Sequence, residues 1–271
     1  MDKLKWFIFG GCSFTDMHNS WARVIQRDVL GERNCQNVSK SGAGNKFIST
    51  AVINCALLAE QRGFIPDISI MWSHPSRIEF PLTSSETPYF KKLFNNNKAQ
   101  NNDMNPGLYA LKDLQSDHDY HDENWWILNG GNVSDKTNWS KDRAIDDEYV
   151  DAFIKYQKYF STTNNHWHNT LTSMLLVQNM AEVRGWHYRA TVFREYLEFY
   201  KSMCAPQFIL LQESIDWNLF TFTNDTDGGL REYTLSNLNT WDDGYDNHPS
   251  YEAHEDFVNN FWLKKHGSDY T

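Results

Sequence analysis

Lys5-Trp-Phe-Ile-Phe-Gly-Gly-Cys-Ser-Phe-Thr15 is the stretch on which the reading of the fold turns. Trp6 to Phe9 form an unbroken apolar run, the pattern of a strand buried on both faces in the middle of a parallel sheet. Gly10 and Gly11 break the strand and let the backbone turn sharply or approach its neighbours closely. Ser13 follows at once, so its hydroxyl would sit at the carboxyl end of a central strand. Open α/β sheets place their sites at that edge. Taken alone, the stretch reads equally well as a strand followed by a structural loop serine. Asp246-Asn-His248-Pro249, at the far end of the chain, favours the functional reading.

Outward from this strand the pattern alternates. Ser20 is a candidate N-cap for a helix to about Leu30, with Trp21, Val24, Ile25 and Val29 on one face and Gly31 ending it. A short strand is expected around Cys35 to Val38, leading into the glycine-bearing turn Ser39 to Asn45. The next helix would bury Phe47, Ile48, Ala51, Val52, Cys55 and Leu58 and stop at Gly63. Asp67 to Trp72 reads as the third strand, followed by Ser73-His-Pro-Ser-Arg77. Helical periodicity returns from about Glu148 to Arg184, as two helices split near Thr162 to Asn165. Trp186 to Phe193 is expected as strand four, Glu195 to Met203 as a helix, and Phe208 to Leu211 as strand five. Ser250 can cap a last helix carrying Ala253, Phe257, Phe261 and Leu263. With neither internal repeat nor linker, the chain 1–271 reads as one α/β domain. Its sheet would be parallel and doubly wound, strand one lying centrally in the order 2-1-3-4-5.

Residues of about 80–147 interrupt this pattern. They are rich in Asn and Asp, and a structureless loop of that length would be unusual in a compact domain. They read as an insertion after strand three, anchored by Phe90, Phe94, Trp125, Trp126 and Ile127. It is expected to cover the carboxyl edge of the sheet beside Ser13. The run Asp117 to Asp122 contains metal-ligand residue types, but nothing fixes a coordination geometry, and a solvated loop is the better reading. No metal or cofactor is expected.

The net charge of -10, with no basic stripe, argues against nucleic acid as a partner. The four cysteines (Cys12, Cys35, Cys55 and Cys204) lack CxxC spacing and read as free buried thiols. With no signal-peptide pattern and no stretch approaching 18 apolar residues, a cytoplasmic chain without a membrane span is expected.

A serine is a weak nucleophile unless a base takes its proton and donors stabilise the developing oxyanion. His248 is the candidate base for Ser13, and Asp246 or Asp243 a candidate to fix its tautomer. Backbone N–H groups of Ser13 and Gly44, and the amide of Asn45, are candidate oxyanion donors. Gly-x-Ser-x-Gly is absent, since Thr15 stands where the second glycine would be. His254, His166 and His168 read as surface residues. Arg77 could bind an anionic substrate group or pair with the insertion.

These blocks resemble those of the SGNH (GDSL-type) hydrolases. Gly11-Cys-Ser-Phe-Thr15 is similar to their first block, Gly44-Asn45 to their second and Asp246-Asn-His-Pro249 to their last, while Trp72-Ser-His-Pro occupies the place of their third. The block order agrees over nearly the whole chain apart from the insertion. The resemblance implies a flavodoxin-like three-layer α/β/α sandwich and hydrolysis of esters, often acetyl or acyl groups on carbohydrates or lipids. Ser13 would be nucleophile, His248 base, Asp246 its partner and Gly44 an oxyanion-hole donor. Cys12 stands in place of the family's usual Asp. The third-block Asn is missing, leaving Ser73, His74 or Asn45 as substitutes. The final Asp stands two residues before the His rather than three. The forms Gly-Cys-Ser-Phe-Thr and Asp-x-His-Pro-Ser resemble an SGNH-like branch from tailed phages, which would set the protein in the infected cell or on the virion. The expectation is therefore a cofactor-free serine esterase acting on a small acyl, most plausibly acetyl, ester of a carbohydrate-type substrate, with His74 and Arg77 as substrate contacts. The alternative is a glycan-binding or virion-associated module without turnover.

Overall fold

The computed structural model describes residues 4–31, 33–81, 107–109, 125–128, 155–156, 159–224, 226–238 and 248–270. In chain order the first elements are β1 (Lys5–Gly10), α1 (Ser13–Asp16), α2 (Trp21–Val24, extended by a π-helical turn Ile25–Val29), β2 (Cys35–Asn37), α3 (Asn45–Gln61) and β3 (Ile65–Trp72). Three short strands follow, β4 (Ile78–Pro81), β5 (Gly107–Tyr109) and β6 (Trp125–Leu128). Then come α4 (Thr163–Arg184), β7 (His187–Val192), α5 (Leu197–Ser202), α6 (Ile209–Glu213), α7 (Leu230–Leu238), α8 (Tyr251–Phe257) and α9 (Leu263–His266). Among the described residues no helix is long and apolar enough to cross a membrane.

The architecture is α/β. Four parallel strands pair in the order β2-β1-β3-β7, flanked by helices, and β1 lies inside the sheet as its apolar run requires. Its side chains alternate between two buried faces. Gly10 marks the face of Trp6 and Ile8: a Cβ there would lie 2.5 Å from Val52 and 3.4 Å from Ile48, both on α3. That missing methyl lets α3 close on the strand. Phe9 and Phe7 point the other way, meeting the rings of Trp21 at 5.8 Å and Tyr270 at 5.6 Å.

Local signals set the helix ends. The Ser20, Thr162 and Ser250 hydroxyls accept from the backbone N–H three residues on, capping α2, α4 and α8. Gly185 ends α4 in the left-handed region at φ 67°, which glycine adopts without penalty. The π-helical turn after α2 moves Val29 off the buried face, to 37% exposure. Leu58 is only partly buried. All four cysteines are free thiols, but only Cys12 and Cys55 are buried; Cys35 and Cys204 are half-buried.

The expected fifth strand is not found at Phe208 to Leu211. Pro206 opens a 3-10 turn there and Ile209–Glu213 is helical, leaving Leu210 76% exposed. A four-residue apolar run does not distinguish a strand from a turn of helix, and proline favours the first helical position. Beside β7 there is instead a single parallel bridge, Ala190 to Phe220, with the Thr221 N–H donating to the Ala190 carbonyl at 2.8 Å.

Within the segment read as an insertion, β4, β6 and β5 form an antiparallel sheet in that order. Phe90, Phe94, the run Asp117 to Asp122 and most of the expected cover over the carboxyl edge lie outside the described residues.

Candidate active site

All four strands of the parallel sheet end on the same side, so the segments following β1, β2, β3 and β7 converge at one edge. Beyond β1 the chain turns tightly. A Cβ on Gly11 would fall 2.1 Å from the Thr15 hydroxyl, so glycine leaves the room that Thr15 fills. Thr15 is fully buried; its hydroxyl accepts from Trp21 Nε1 at 3.1 Å, and its carbonyl accepts from Ser20 Oγ at 2.6 Å and Asn37 Nδ2 at 2.7 Å. The threonine standing where a nucleophile elbow has glycine is therefore a tether. It fixes the one-turn helix α1 that begins at Ser13.

Ser13 Oγ lies 2.8 Å from His248 Nε2, across 235 residues of sequence. Both residues are 8% exposed. The His248 ring packs on Phe14 at 4.7 Å, and Phe14 stacks on Phe193, just past β7, at 4.6 Å. This aromatic column sets the imidazole over the serine. Asp246 and Asp243 lie outside the described residues.

The loop after β2 is bound to the serine turn along its length. Lys40 N–H donates to the Gly11 carbonyl, and Ser41 donates from both N–H and Oγ to Asp16 Oδ2 at 2.8 and 3.0 Å. It delivers Gly44 to the N-cap of α3. Among the described residues, neither the Ser13 nor the Gly44 N–H donates to a protein acceptor.

The Asn45 side chain has other work. Its Oδ1 accepts from Ser73 N–H at 2.9 Å, while Nδ2 donates to the Ser73 carbonyl at 3.0 Å and to Thr170 Oγ1 at 2.9 Å. It stitches α3 to the end of β3 and to α4, and only its backbone N–H remains for a ligand. Ser73 is fully buried, its N–H spent on Asn45 and its hydroxyl without a partner among the described residues.

His74 Nδ1 accepts from the Ser76 N–H at 3.2 Å, and its ring lies against Tyr196 and Tyr200. Burial, with Arg194 and Arg77 nearby, pushes its pKa down to about 4, so it is neutral at pH 7. Arg77 Nη1 donates to the Ala43 carbonyl at 3.2 Å, securing the loop just before Gly44. It also lines a polar cavity of about 30 Å³ with Lys46, Glu79, His166 and Asn169, room for a water rather than a sugar ring.

Two residues that sequence reasoning did not assign to the site belong to this region, His254, which it set on the surface, and Glu79, which it did not single out. His254 is 1% exposed rather than on the surface; its Nδ1 accepts from the Trp21 N–H at 3.1 Å. Burial, then the neighbouring His248, pushes its pKa down to about 3. Glu79, from β4, buries its carboxyl group at the start of α3, where Oε1 accepts from the N–H groups of Lys46 at 2.6 Å and Phe47 at 3.2 Å. Burial raises its pKa to about 7, against the lowering effect of those two amides. A helical N-terminus without a capping side chain at Gly44 was the available signal for such a partner.

Fold and site together define an α/β protein with a serine–histidine pair at the carboxyl edge of a parallel sheet. No family model, no curated protein and no solved structure matches the chain.

Proposed function

We propose that the chain is a serine esterase of the SGNH type that removes a small acyl group, most plausibly acetyl, from a carbohydrate-type substrate. The observation carrying this reading is the 2.8 Å approach of Ser13 Oγ to His248 Nε2 at the carboxyl edge. In the proposed reaction His248 Nε2 takes the hydroxyl proton as Ser13 Oγ bonds to the ester carbonyl carbon. The backbone N–H groups of Ser13 and Gly44 receive the carbonyl oxygen as it becomes negative. Collapse breaks the bond to the alcohol oxygen, which leaves with the proton from His248. Water, deprotonated by the same imidazole, then releases the acid and restores Ser13. Asp246 or Asp243 holds the imidazole with its proton on Nδ1. The chemistry requires neither metal nor cofactor. The SGNH assignment, the flavodoxin-like layering and the phage setting rest on the block resemblance, and the sugar acceptor on the family and the aromatic-rich insertion.

One observation favours a second reading, a binding module without turnover: the Asn45 side chain, a substitute for the missing third-block donor, is committed to Ser73 and Thr170. Hydrolysis of p-nitrophenyl acetate and of acetylated sugars separates the two. The esterase reading expects Ser13→Ala and His248→Ala each to remove most activity, with little further loss in the double variant, because nucleophile and base act as one unit. A phosphonate should label Ser13. Equal residual hydrolysis by wild type and Ser13→Ala would establish the binding module instead, with glycan binding the next measurement.

A further inference from the structure

We propose that Glu79 is a positioning residue for the turn at Gly44–Asn45, holding the Gly44 backbone N–H that would meet the oxyanion and the Asn45 N–H beside it; the proposal rests on the esterase reading above. Helix α3 has 17 residues, and its N-cap, Gly44, has no side chain to satisfy the first-turn donors. Glu79 does so from another element. One carboxyl oxygen accepts from the second and third amides of the helix, those of Lys46 and Phe47. The Ile48 N–H is taken by the Gly44 carbonyl. The remaining first-turn donors are the N–H groups of Gly44 and Asn45, and among the described residues neither donates to a protein acceptor.

The fit between Glu79 and Gly44 is steric as well as polar. A Cβ on Gly44 would lie 1.8 Å from Glu79 Oε2 and 2.6 Å from its carboxyl carbon, so the carboxyl group occupies the space where the cap's own side chain would be. Arg77, two residues earlier on the same segment, holds the preceding carbonyl, that of Ala43. Residues 77 and 79 thus grip the turn from both sides of Gly44. Glu79 is 5% exposed, and among the described residues its Oε2 accepts from no protein donor. A residue held this way sets where the two free amides point without itself reaching the reacting atoms.

The test compares Glu79→Ala and Glu79→Gln, with rates normalised to the folded fraction. Gln keeps an acceptor oxygen for Lys46 and Phe47; Ala does not. Glu79→Ala is expected to lower kcat between about 10-fold and 100-fold with KM changed less than about threefold, the loss typical of a misplaced catalytic group. Glu79→Gln should restore most of that loss. Wild-type kcat in Glu79→Ala, or equal losses in both variants, overturns the proposal. Backbone relaxation of the Gly44 and Asn45 amides gives a reading independent of turnover. Order parameters near 0.85 in wild type and Glu79→Gln, falling below about 0.6 in Glu79→Ala, uphold the positioning role. Unchanged order parameters in Glu79→Ala overturn it. If wild type shows no Ser13-dependent hydrolysis, the esterase reading alone has failed, and the amide data decide the role of Glu79.

Discussion

His254 shows what burial does to one titratable group. Its imidazole has no route to water, and Nδ1 accepts from the Trp21 N–H, so the neutral ring carries its proton on Nε2. The folded pKa of about 3 lies well below the ordinary value of 6.5. Above pH 6.5 both folded and unfolded chains hold the ring neutral, and the group contributes no pH dependence. As pH falls below that value the unfolded chain binds a proton that the folded chain does not, and stability is lost until the folded pKa is reached. The expected slope is about 1.4 kcal/mol per pH unit from this residue. Urea unfolding between pH 7 and pH 4.5 should show wild type losing stability more steeply than His254→Asn by that amount. Asn can still accept from Trp21 but does not titrate. Parallel slopes would show that the ring is solvated in the folded state.

At the scale of elements, Asn45 joins three of them. Its side chain satisfies both backbone groups of Ser73 at the end of β3 and the Thr170 hydroxyl on α4. Asn45→Ala strands these groups in the interior, where each unsatisfied polar group costs about 1–3 kcal/mol. The midpoint of chemical denaturation should fall while the slope stays constant, the mark of lost stability without a change in the surface exposed. Any loss of turnover in this variant is then a consequence of the displaced β3 end as much as of a missing donor. The same elements show what sequence reading can reach. Strand β1, the turn at Gly10 and Gly11, the caps at Ser20 and Ser250, the break near Thr162 and the stop at Gly185 are local signals, and each was readable. Phe208 to Leu211 was ambiguous because four apolar residues have no period. The placements of Glu79 and His254 were hidden because a charged or titratable residue reads as surface until its partner is known, and their partners lie 32 and 233 residues away.

Across the whole molecule, the end of the sheet opposite Ser13 is held by buried charge. Phe7, Phe9, Asp67, Ser69 and Arg189 share the sheet face under the C-terminal helices, as the strand registers require. Arg189 Nη2 lies 2.6 Å from Asp67 Oδ1, Arg189 Nη1 donates to Ser69 Oγ at 2.7 Å, and Tyr270 OH accepts from Trp262 Nε1 at 2.8 Å. Lys5 adds a second cation 3.5 Å from Asp67 and donates to the Asp269 carbonyl at 2.6 Å. Three strands and the C-terminal segment meet in this network. Arg189→Met should cost about 3–5 kcal/mol, because it leaves the buried Asp67 charge with only the partly exposed Lys5, whose contact at 3.5 Å is longer than that of Arg189. Asp67→Asn added to Arg189→Met should recover part of that loss in a double-mutant cycle, since the stranded charge is then gone. Independent, additive losses would show that the pair is not coupled.

The span between Ser13 and His248 governs when the site can exist. Ser13 follows an interior strand of the sheet, and the His248 imidazole comes 235 residues later. While the chain is being synthesised, the sheet can gather β1, β2 and β3 around an incomplete site that holds a serine and no base. The Ser13–His248 contact therefore forms only when the segment before α8 docks against Phe14. On the esterase reading proposed above, a chain cut before His248 is expected to be silent, because Ser13 would then have no base.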